Sequence, residues 1–501
     1  MPRPLRRRPS SAAAVTALLA ALGPARVPAA AQPAAADTAP SVDFRHGALR
    51  VAPDGRHLVH ADGTAFFWLG DTAWELFHRL SRAETERYLE DRRRKGFTVV
   101  QAVVLAEYGG LDVPNAEGAL PLEGNDPTRP NEAYFRHVDW AVDAAARRGL
   151  YVGMLPTWGD KWNKKWGTGP EIFTPANARA YGFFLGRRYR DKPVVWILGG
   201  DRSPERPADF AVIRAMAEGL RAGDGGAHLI TYHPQGDQSS AQYFHGDPWL
   251  AFDMFQSGHM RRDIANDRFV DAARALAPAK PVVDGEPRYE DHPINWDPKN
   301  GWFDEADVRQ AAYWAVLAGA AGHTYGDHNI WQFWQPGRAP VSAARTPWTV
   351  ALGHPGSAQM GHLRRLFESR PFLLLEPDQG LVDVAAADTG PARPRAARAG
   401  DSSYAFAYTP LGRALRVRLD RLRGAAVRAS WFDPREGTSA PAGTWAARGV
   451  QTFTPPGPAG RGRDWVLVLD GGAGDVGAKG VTHGVSDGTS TPVPPARAAG
   501  R

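Results

Sequence analysis

The sequence contains no cysteine among its 501 residues. That absence excludes disulfide bonds, thiolate metal ligands and a cysteine nucleophile. Within the predicted barrel region, residues 47–368, three enzyme signatures are missing as well: the G-x-S-x-G nucleophile elbow, the H-E-x-x-H metal motif and a G-x-G-x-x-G segment after the first predicted strand. The sequence therefore disfavours a serine hydrolase, a zinc hydrolase and a dinucleotide-binding sheet.

Long apolar runs are missing too, except near the amino terminus. The stretch 11–23 follows a cluster of four arginines and precedes Ala29-Ala30-Ala31, which fits an A-x-A cleavage site. This stretch is too short for a stable membrane span. We therefore expect residues 1–31 to be a signal peptide of a secreted, extracellular or periplasmic protein that has no membrane partner after cleavage. An uncleaved anchor and a disordered leader remain alternatives.

The net positive charge is small outside this leader. The chain has a formal net charge of +6, but residues 1–31 contain five arginines and no acid, which leaves +1 for the rest. The basic balance therefore gives no reason to expect a nucleic acid partner. We expect a monomer.

The middle of the chain alternates predicted strands and helices in eight units. Eight such units over about 300 residues favour a (β/α)8 TIM barrel of the α/β class, predicted over 47–368 after a linker at 32–46. A doubly wound open sheet is the alternative. Short strands separated by turn signals predict a small C-terminal antiparallel β-sandwich domain at 369–470, and the Gly/Ser/Thr/Pro-rich segment 471–501 is predicted to be disordered.

Each of the eight predicted strands ends in polar or aromatic residues, and a closed barrel would direct all of these ends into one cleft. The chain is also rich in tryptophan, with 17 residues, and tryptophan rings often stack on sugars. We take the strand ends as candidate substrate-binding residues: Asp71, Trp74, Glu107, Tyr108, Trp158, His233, Gln256, His323 and Tyr325.

Two of the strands begin with proline and a valine pair, turn on glycine and then present a carboxylate. The predicted fourth strand lies in the segment PVVWILGGDR and ends at Asp201. The predicted seventh strand lies in the segment PVVDGEPRYE and ends at Glu286. A carboxylate pair across a barrel mouth is the minimum equipment for cleaving a glycosidic bond, by retention or by inversion according to the gap between the two acids. From position alone, Asp284 and Glu290 remain rivals of Glu286.

The histidines give no metal-ligand spacing. His233, His245, His259, His323 and His328 are scattered without a recognisable motif, so we expect them to donate hydrogen bonds to sugar hydroxyls or carboxylates. The sequence thus predicts no metal site and no cofactor.

Several of these segments together resemble the apiosidase-like glycoside hydrolases (DUF4038-type catalytic barrels). They are FFWLGDTAWELFHRLSRAETERYLEDRRRKGFTVVQ, WILGGDR, DGEPRYE and AGHTYGDHNIWQF. The later YTPLGRALRVRLDRL and ASWFDPREG resemble the small β-domain, named for collagen binding, that follows such barrels.

The resemblance implies a glycoside hydrolase that removes apiose from plant pectin side chains or related glycosides. It places the catalytic pair on Asp201 and Glu286, which favours Glu286 over its rivals. A barrel glycosidase acting on another pentoside or hexoside is one alternative. A non-catalytic carbohydrate-binding or adhesion protein is the other.

Overall fold

The computed structural model describes residues 39–385 and 388–472. The predicted signal peptide and nearly all of the predicted tail lie outside these residues, except that Gly471 ends a strand. Residues 39–46, predicted as part of a linker, pack on the barrel instead. Ser41 and Val42 donate backbone hydrogen bonds of 2.9 and 3.0 Å to the carbonyls of Arg148 and Gly149, and Val42 is buried.

A small antiparallel sheet precedes the barrel. Its strands are β1 (Leu49–Val51), β2 (Leu58–His60) and β3 (Ala65–Phe66), joined by turns that contain the two Asp-Gly pairs of this region. Phe66 packs edge-on against Tyr151, the first residue of a barrel strand, at 5.5 Å between ring centroids. The sheet therefore covers the amino-terminal end of the barrel, opposite the strand ends predicted to carry the chemistry.

Eight parallel strands form the barrel. They are β4 (Trp68–Thr72), β5 (Val99–Leu105), β6 (Tyr151–Thr157), β7 (Val194–Gly199), β8 (Ile230–His233), β10 (Asp253–Gln256), β11 (Val282–Asp284) and β12 (Gly322–Tyr325). The order is β8-β7-β6-β5-β4-β12-β11-β10, with the short antiparallel β9 (Gln238–Ser239) beside β10. The first and last barrel strands in this order, β8 and β10, meet and close the barrel. There the N–H of Ala251, which precedes β10, donates a 2.8 Å hydrogen bond to the carbonyl of Ile230 in β8. This TIM-like barrel confirms the fold predicted from the sequence.

The apolar runs are explained by burial on both strand faces. In β7, Val195 and Ile197 face the barrel interior, where they pack with Met254 and Val283, while Trp196 faces the helices. A strand buried on both sides needs apolar residues at every position, which is why the fourth strand reads PVVWIL.

Helices cover the outside of the barrel. They are α1 (Leu76–Arg79), α2 (Arg82–Arg94), α3 (Glu132–Ala146), α4 (Pro175–Tyr189), α5 (Pro207–Asp224), α6 (Ala241–Phe244), α7 (Asp267–Arg274), α8 (Glu305–Leu317), α9 (Trp348–Ala351) and α10 (Pro355–Glu368). Capping boxes fix several starts, as where Ser81 and Glu84 exchange bonds at the start of α2. The fifth unit has only the single turn α6 as its helix.

The C-terminal region consists of two antiparallel sheets. The larger sheet has the order β13-β15-β16-β21-β18-β19 and the smaller β14-β17-β20. Their strands are β13 (Leu375–Pro377), β14 (Val382–Asp383), β15 (Arg395–Ala399), β16 (Tyr404–Thr409), β17 (Leu415–Arg418), β18 (Ala426–Asp433), β19 (Thr438–Ala446), β20 (Val450–Phe453) and β21 (Trp465–Gly471). The first of these strands begins at Leu375, six residues after the predicted boundary at 369.

The larger sheet is packed on both of its faces. In β16, Ala405 and Ala407 face the smaller sheet, while Phe406 and Tyr408 face the barrel. Tyr408 stacks on Tyr313 of α8 at 4.8 Å between ring centroids. The β-domain is therefore joined to the barrel through an apolar interface.

No helix in the described ranges combines the length and apolar character that crossing a membrane requires.

Candidate active site

A cleft of about 570 Å³ opens at the carboxyl ends of the barrel strands. This volume suits a small-molecule ligand. The side chains that line it include five tryptophans and four carboxylates: Trp74, Trp158, Trp166, Trp296, Trp331, Glu107, Asp201, Asp237 and Glu286.

Asp201 reaches the cleft because the chain after β7 turns through three residues with positive φ. These residues are Gly199 (φ 98°), Gly200 (φ 79°) and Asp201 (φ 55°). A Cβ on Gly199 would lie 2.2 Å from the carbonyl oxygen of His233, and one on Gly200 would lie 2.8 Å from the backbone nitrogen of Gly159. Only glycine fits both positions, so the Gly-Gly-Asp sequence fixes the direction of the carboxylate.

The surroundings of Asp201 favour its protonated form. Burial, together with the negative charge of Glu286, raises the pKa of Asp201 to about 6, although the guanidinium of Arg202 works against this. Arg202 Nη1 lies 3.1 Å from Asp201 Oδ2 and also donates to the Asp201 carbonyl at 2.7 Å. This carboxyl can therefore hold a proton at mildly acidic pH.

Glu286 follows β11 and lies between two histidines. His259 Nε2 is 3.0 Å from Glu286 Oε1, and His233 Nε2 is 3.1 Å from Oε2. Burial pushes the pKa of Glu286 upward, but the interactions with both histidines outweigh it and lower the pKa to about 2. Glu286 is therefore ionised across the ordinary pH range.

His233 connects the two carboxylate residues. The Asp201 backbone N–H donates to His233 Nδ1 at 3.2 Å, so this nitrogen must be the acceptor. In a neutral ring the proton is then on Nε2, which faces Glu286. One hydrogen bond from the Asp201 turn thus orients the histidine that stabilises the Glu286 carboxylate.

The two rival carboxylates do not line the cleft. Asp284 is buried, accepts a 2.8 Å hydrogen bond from Ser257 Oγ, and has a pKa raised by burial to about 6. Glu290 accepts from the Tyr325 hydroxyl at 2.6 Å and from the Gly356 N–H at 3.2 Å. Both are held by structural hydrogen bonds, whereas Glu286 faces the cleft.

Five of the nine predicted substrate-binding residues line the cleft, namely Trp74, Glu107, Tyr108, Trp158 and Gln256. Trp74 and Trp158 lie 5.2 Å apart between ring centroids, and the Trp74 ring meets His233 edge-on at 5.5 Å. Burial raises the pKa of Glu107 to about 7, although its contact with Arg202, 3.2 Å from Glu107 Oε1, opposes the rise. His233, a sixth prediction, is fully buried behind these residues and reaches the site through Glu286.

The other three predicted binders, Asp71, His323 and Tyr325, are fully buried and do not reach the cleft. Asp71 pairs with Arg92 at 2.6 Å, which ties the end of β4 to α2. Tyr325 is the donor to Glu290 described above, and burial lowers the pKa of His323 to about 3. The prediction fails for these residues because a side chain at a strand end can point outward to the helix layer as well as into the barrel mouth.

Several residues at the site were not selected from the sequence, among them Arg202, Trp166 and Trp296. Arg202 contacts the Asp201 carboxylate, and Trp166 and Trp296 lie at the cleft rim, 61% and 47% exposed. The signal for Arg202 was its position next to Asp201. The two tryptophans lie in loops, beyond the reach of a rule based on strand ends.

Chemically, the cleft combines a carboxyl that can hold a proton with a carboxylate that stays ionised. This is the division of roles that glycoside hydrolysis needs. Across residues 39–385 and 388–472, no three histidine, aspartate or glutamate side chains are grouped so that they could hold a metal ion.

Comparison with known families covers both domains. Residues 52–374 match the family described as "Apiosidase-like, catalytic domain". Residues 377–470 match the one described as "Putative collagen-binding domain of a collagenase". A search of curated proteins finds no match.

Solved structures match over most of the chain. One, described as "Glycoside hydrolase", is 35% identical, has a TM-score of 0.80, and the match covers 86% of this chain and 98% of that one. Another, a glycoside hydrolase family 5 protein from Bacteroides vulgatus ATCC 8482, is 34% identical, also has a TM-score of 0.80, and the match covers 87% and 95%. The same two-domain arrangement therefore occurs in solved glycoside hydrolases.

Proposed function

Because the chain belongs to the apiosidase-like family of glycoside hydrolases, we propose that it removes terminal apiose from plant pectin side chains or related glycosides. In this proposal Asp201 is the general acid and Glu286 is the nucleophile or the general base. The observation that carries the assignment is the different contacts of the two carboxyl groups: two histidines lie 3.0 and 3.1 Å from Glu286, whereas Asp201 has one arginine at 3.1 Å and the negative charge of Glu286 nearby. These contacts move the two pKa values apart, to about 2 for Glu286 and about 6 for Asp201.

Cleavage of the glycosidic bond needs a proton for the leaving oxygen and an electron pair for the anomeric carbon. Asp201 gives its proton to the glycosidic oxygen as the bond from that oxygen to the anomeric carbon breaks, so the leaving group departs as a neutral alcohol. Glu286 supplies the electron pair, either by bonding to the anomeric carbon or by taking a proton from an attacking water. In the first case a water then attacks the anomeric carbon and displaces Glu286, while Asp201 acts as the base that takes the proton of this water.

The sugar to be released lies between the two carboxylates in this proposal. Trp74 and Trp158 offer apolar ring faces there, while Glu107, Tyr108 and Gln256 offer groups that hydrogen-bond sugar hydroxyls. Asp71, His323 and Tyr325 are left out of this set because they are buried away from the cleft.

A substrate screen tests the assignment of the sugar. The purified protein is incubated with apiosides, arabinofuranosides, xylosides and galactosides, and proton NMR follows the first anomer released. We expect apiosides to be cleaved fastest. Faster release of another pentose or hexose would replace apiose but keep the mechanism, whereas no cleavage of any glycoside would overturn the proposed function. The first anomer seen distinguishes retention from inversion.

We also propose that the protein is exported and acts as a monomer. The support for export is the arginine-rich leader with its apolar stretch and its A-x-A segment within residues 1–31. Mass spectrometry of protein recovered outside the cytoplasm should find a mature chain that begins near residue 32. Light scattering should give the mass of a single chain, and a dimer mass would contradict the second part.

A further inference from the structure

Two arginines of the β-domain clamp one aspartate of the barrel. Asp267, the first residue of α7, is fully buried. Arg393, which precedes β15, contacts both of its carboxylate oxygens, with Nη2 2.8 Å from Oδ1 and Nη1 2.7 Å from Oδ2. Arg395 adds a contact of 3.2 Å to Oδ2. A bidentate contact of this kind fixes geometry as well as charge, so the β-domain holds the start of α7 in place.

The residue before Asp267 continues these contacts into the barrel. Asn266 is buried, and its Nδ2 donates to Asp284 Oδ2 at 3.2 Å and to the Ala311 carbonyl of α8 at 2.7 Å. Asp284 also accepts from Ser257 Oγ at 2.8 Å and from the Ser257 N–H at 3.4 Å. The carboxylate that stays out of the cleft therefore joins the start of α7 to the turn that follows β10.

That turn carries His259, one of the two histidines beside Glu286. Gly258 has a φ of 76°, and its N–H donates to the Glu286 carbonyl at 3.0 Å. The next residue is His259, whose Nε2 lies 3.0 Å from Glu286 Oε1. Hydrogen bonds between neighbouring segments thus lead without a break from the β-domain to the Glu286 carboxylate.

The polar character of this part of the interface calls for an explanation. Deeply buried polar side chains cost free energy unless they are hydrogen-bonded, and a hydrogen-bonded network specifies one arrangement of the segments that it joins. An interface that only holds two domains together can be apolar, as it is where Tyr408 stacks on Tyr313. The polar network instead ends at His259, so its effect is to fix the position of that ring.

We propose that the β-domain takes part in catalysis by positioning: Arg393, through its clamp on Asp267, fixes the turn that holds His259 against Glu286. The inference rests on the proposed function, in which Glu286 must be ionised and correctly placed, and it adds a role for the second domain. A displacement of about 1 Å caused far from the chemistry can lower turnover by up to about 100-fold, so weakening the clamp should be visible in the rate.

A double-mutant cycle tests this connection. Arg393→Met removes the clamp but keeps the apolar stem of the side chain. On the best substrate of the screen we expect kcat to fall roughly tenfold, while KM changes less than about twofold because the groups that contact the substrate are kept. In a His259→Ala background the same substitution should cost less than about twofold, because the ring that it positions is already absent.

Arg393→Lys keeps the positive charge but not the bidentate contact, so it should give an intermediate loss. It takes the place of Arg393→Met in the cycle if that variant does not fold. Equal losses with and without His259, or no loss in either background, would overturn the positioning role.

Glu376→Gln is the matched control. Glu376 of β13 pairs with Arg274, the last residue of α7, at 2.5 Å between Oε2 and Nη2, so it joins the same helix to the same domain. Arg274 also donates to the carbonyl of Gly319, which precedes β12, so this pair lies toward the amino-terminal end of the barrel. The control should keep kcat within about twofold of the wild type. A tenfold loss there would mean that any loosening of α7 slows the enzyme, which also overturns the inference.

A second measurement needs no substrate. The ring-proton NMR signal of His259 is identified by its disappearance in His259→Ala. It should move in Arg393→Met and stay in place in Glu376→Gln. An unmoved signal in Arg393→Met would overturn the inference whether or not the protein cleaves a glycoside, whereas a moved signal without any cleavage by the wild type would overturn only the proposed function.

Discussion

At the scale of single residues, Asp201 and Glu286 are both carboxylates in one cleft, and their neighbours separate their behaviour. Glu286 has two histidines at 3.0 and 3.1 Å, whereas Asp201 has the charge of Glu286 nearby and one arginine. Similar groups thus differ in pKa through their contacts alone, so that one can hold a proton while the other stays ionised.

The first prediction concerns the pH profile. A general acid must be protonated, so activity should fall as pH rises through the pKa of Asp201, at about 6. A nucleophile or base must be ionised, so activity should fall on the acid side only near pH 2, where the enzyme must still be folded. Measurement of kcat/KM against pH on the best substrate checks both limbs, and undiminished activity at pH 9 would contradict the role of Asp201.

The second prediction concerns His259. In His259→Ala, Glu286 loses the 3.0 Å interaction at Oε1, so its pKa should rise. A hydrogen bond to a charged group contributes about 1.5–3 kcal/mol, which moves the acid limb of the profile upward by about one to two pH units.

The control for that experiment is His228→Ala. His228 is also a histidine paired with a carboxylate, Asp224 at 3.0 Å, but it lies before the start of β8, at the other end of the barrel. Its removal should leave the pH profile where it was. A profile of His259→Ala that coincides with the wild type would show that this histidine does not set the pKa of Glu286.

The sequence was sufficient to propose Asp201 and Glu286, because an acid directly after a buried strand is visible in the letters. It was not sufficient for Asp71, His323 and Tyr325. Successive side chains of a strand point alternately into the barrel mouth and toward the helices, so a shift of the strand by one residue exchanges the two sets. The pairing with neighbouring strands decides which set faces the mouth.

At the scale of elements, the turn after β7 positions the Asp201 carboxylate in the cleft. Three consecutive residues with positive φ angles form this turn directly at the end of the strand. The loop after β6 packs on this turn, since the Gly159 N–H donates to the Gly200 carbonyl at 2.9 Å. The two loops that carry Trp166 and Asp201 therefore support each other.

The third prediction is that Gly199→Ala destabilises the protein and removes activity. The new Cβ would meet the His233 carbonyl at 2.2 Å at a φ of 98°, so the strand end must move and the Asp201 carboxylate with it. Gly225→Ala is the matched control, because Gly225 also has a positive φ, 70°, but open space around its Cβ. Its cost should be about 1–2 kcal/mol.

Urea unfolding and kcat/KM are measured for both glycine variants. The expected order is a larger loss of stability and a complete loss of turnover for Gly199→Ala, with normal turnover for Gly225→Ala. If the two variants behave alike, the turn is less constrained than its contacts imply.

The eight-unit count was readable from the sequence because strands such as β5 and β7 are mostly apolar runs before a turn, and predicted helices separate most of the units. The exception is the fifth unit, where α6 is a single turn and gives no helical periodicity to find. The rim loops were not readable, because their conformation depends on cation–aromatic and backbone contacts between segments far apart in sequence.

At the scale of the whole molecule, the β-domain and the barrel share a buried ion pair inside their apolar interface. Arg309 of α8 donates to Asp464 at 2.7 Å from Nη2 and to Gln359 at 2.6 Å from Nη1, and both charged side chains are almost fully buried. Asp464 also accepts from Tyr408 at 3.2 Å. This pairing across 155 residues is not visible in the sequence.

The fourth prediction is that Asp464→Asn lowers stability strongly. The substitution leaves the Arg309 guanidinium buried without its counter-charge, which typically costs about 3–5 kcal/mol. Asp401→Asn is the control, because Asp401 pairs with Arg423 at the surface, where the side chains are 42% and 55% exposed. That pair should contribute at most about 1 kcal/mol.

Thermal unfolding of both variants measures this difference. A melting temperature of Asp464→Asn equal to that of Asp401→Asn would mean that the interface tolerates the unpaired charge and that the two domains are joined more loosely than the contacts indicate.

The central claim is that Asp201 and Glu286 together break the glycosidic bond. The direct measurement is kcat/KM of Asp201→Asn and Glu286→Gln on the best substrate of the screen, with thermal unfolding to show that both variants stay folded. Each substitution removes the acid or the anion but keeps the side-chain shape, so we predict losses of at least about 100-fold in each. Activity within tenfold of the wild type in either folded variant would contradict the claim.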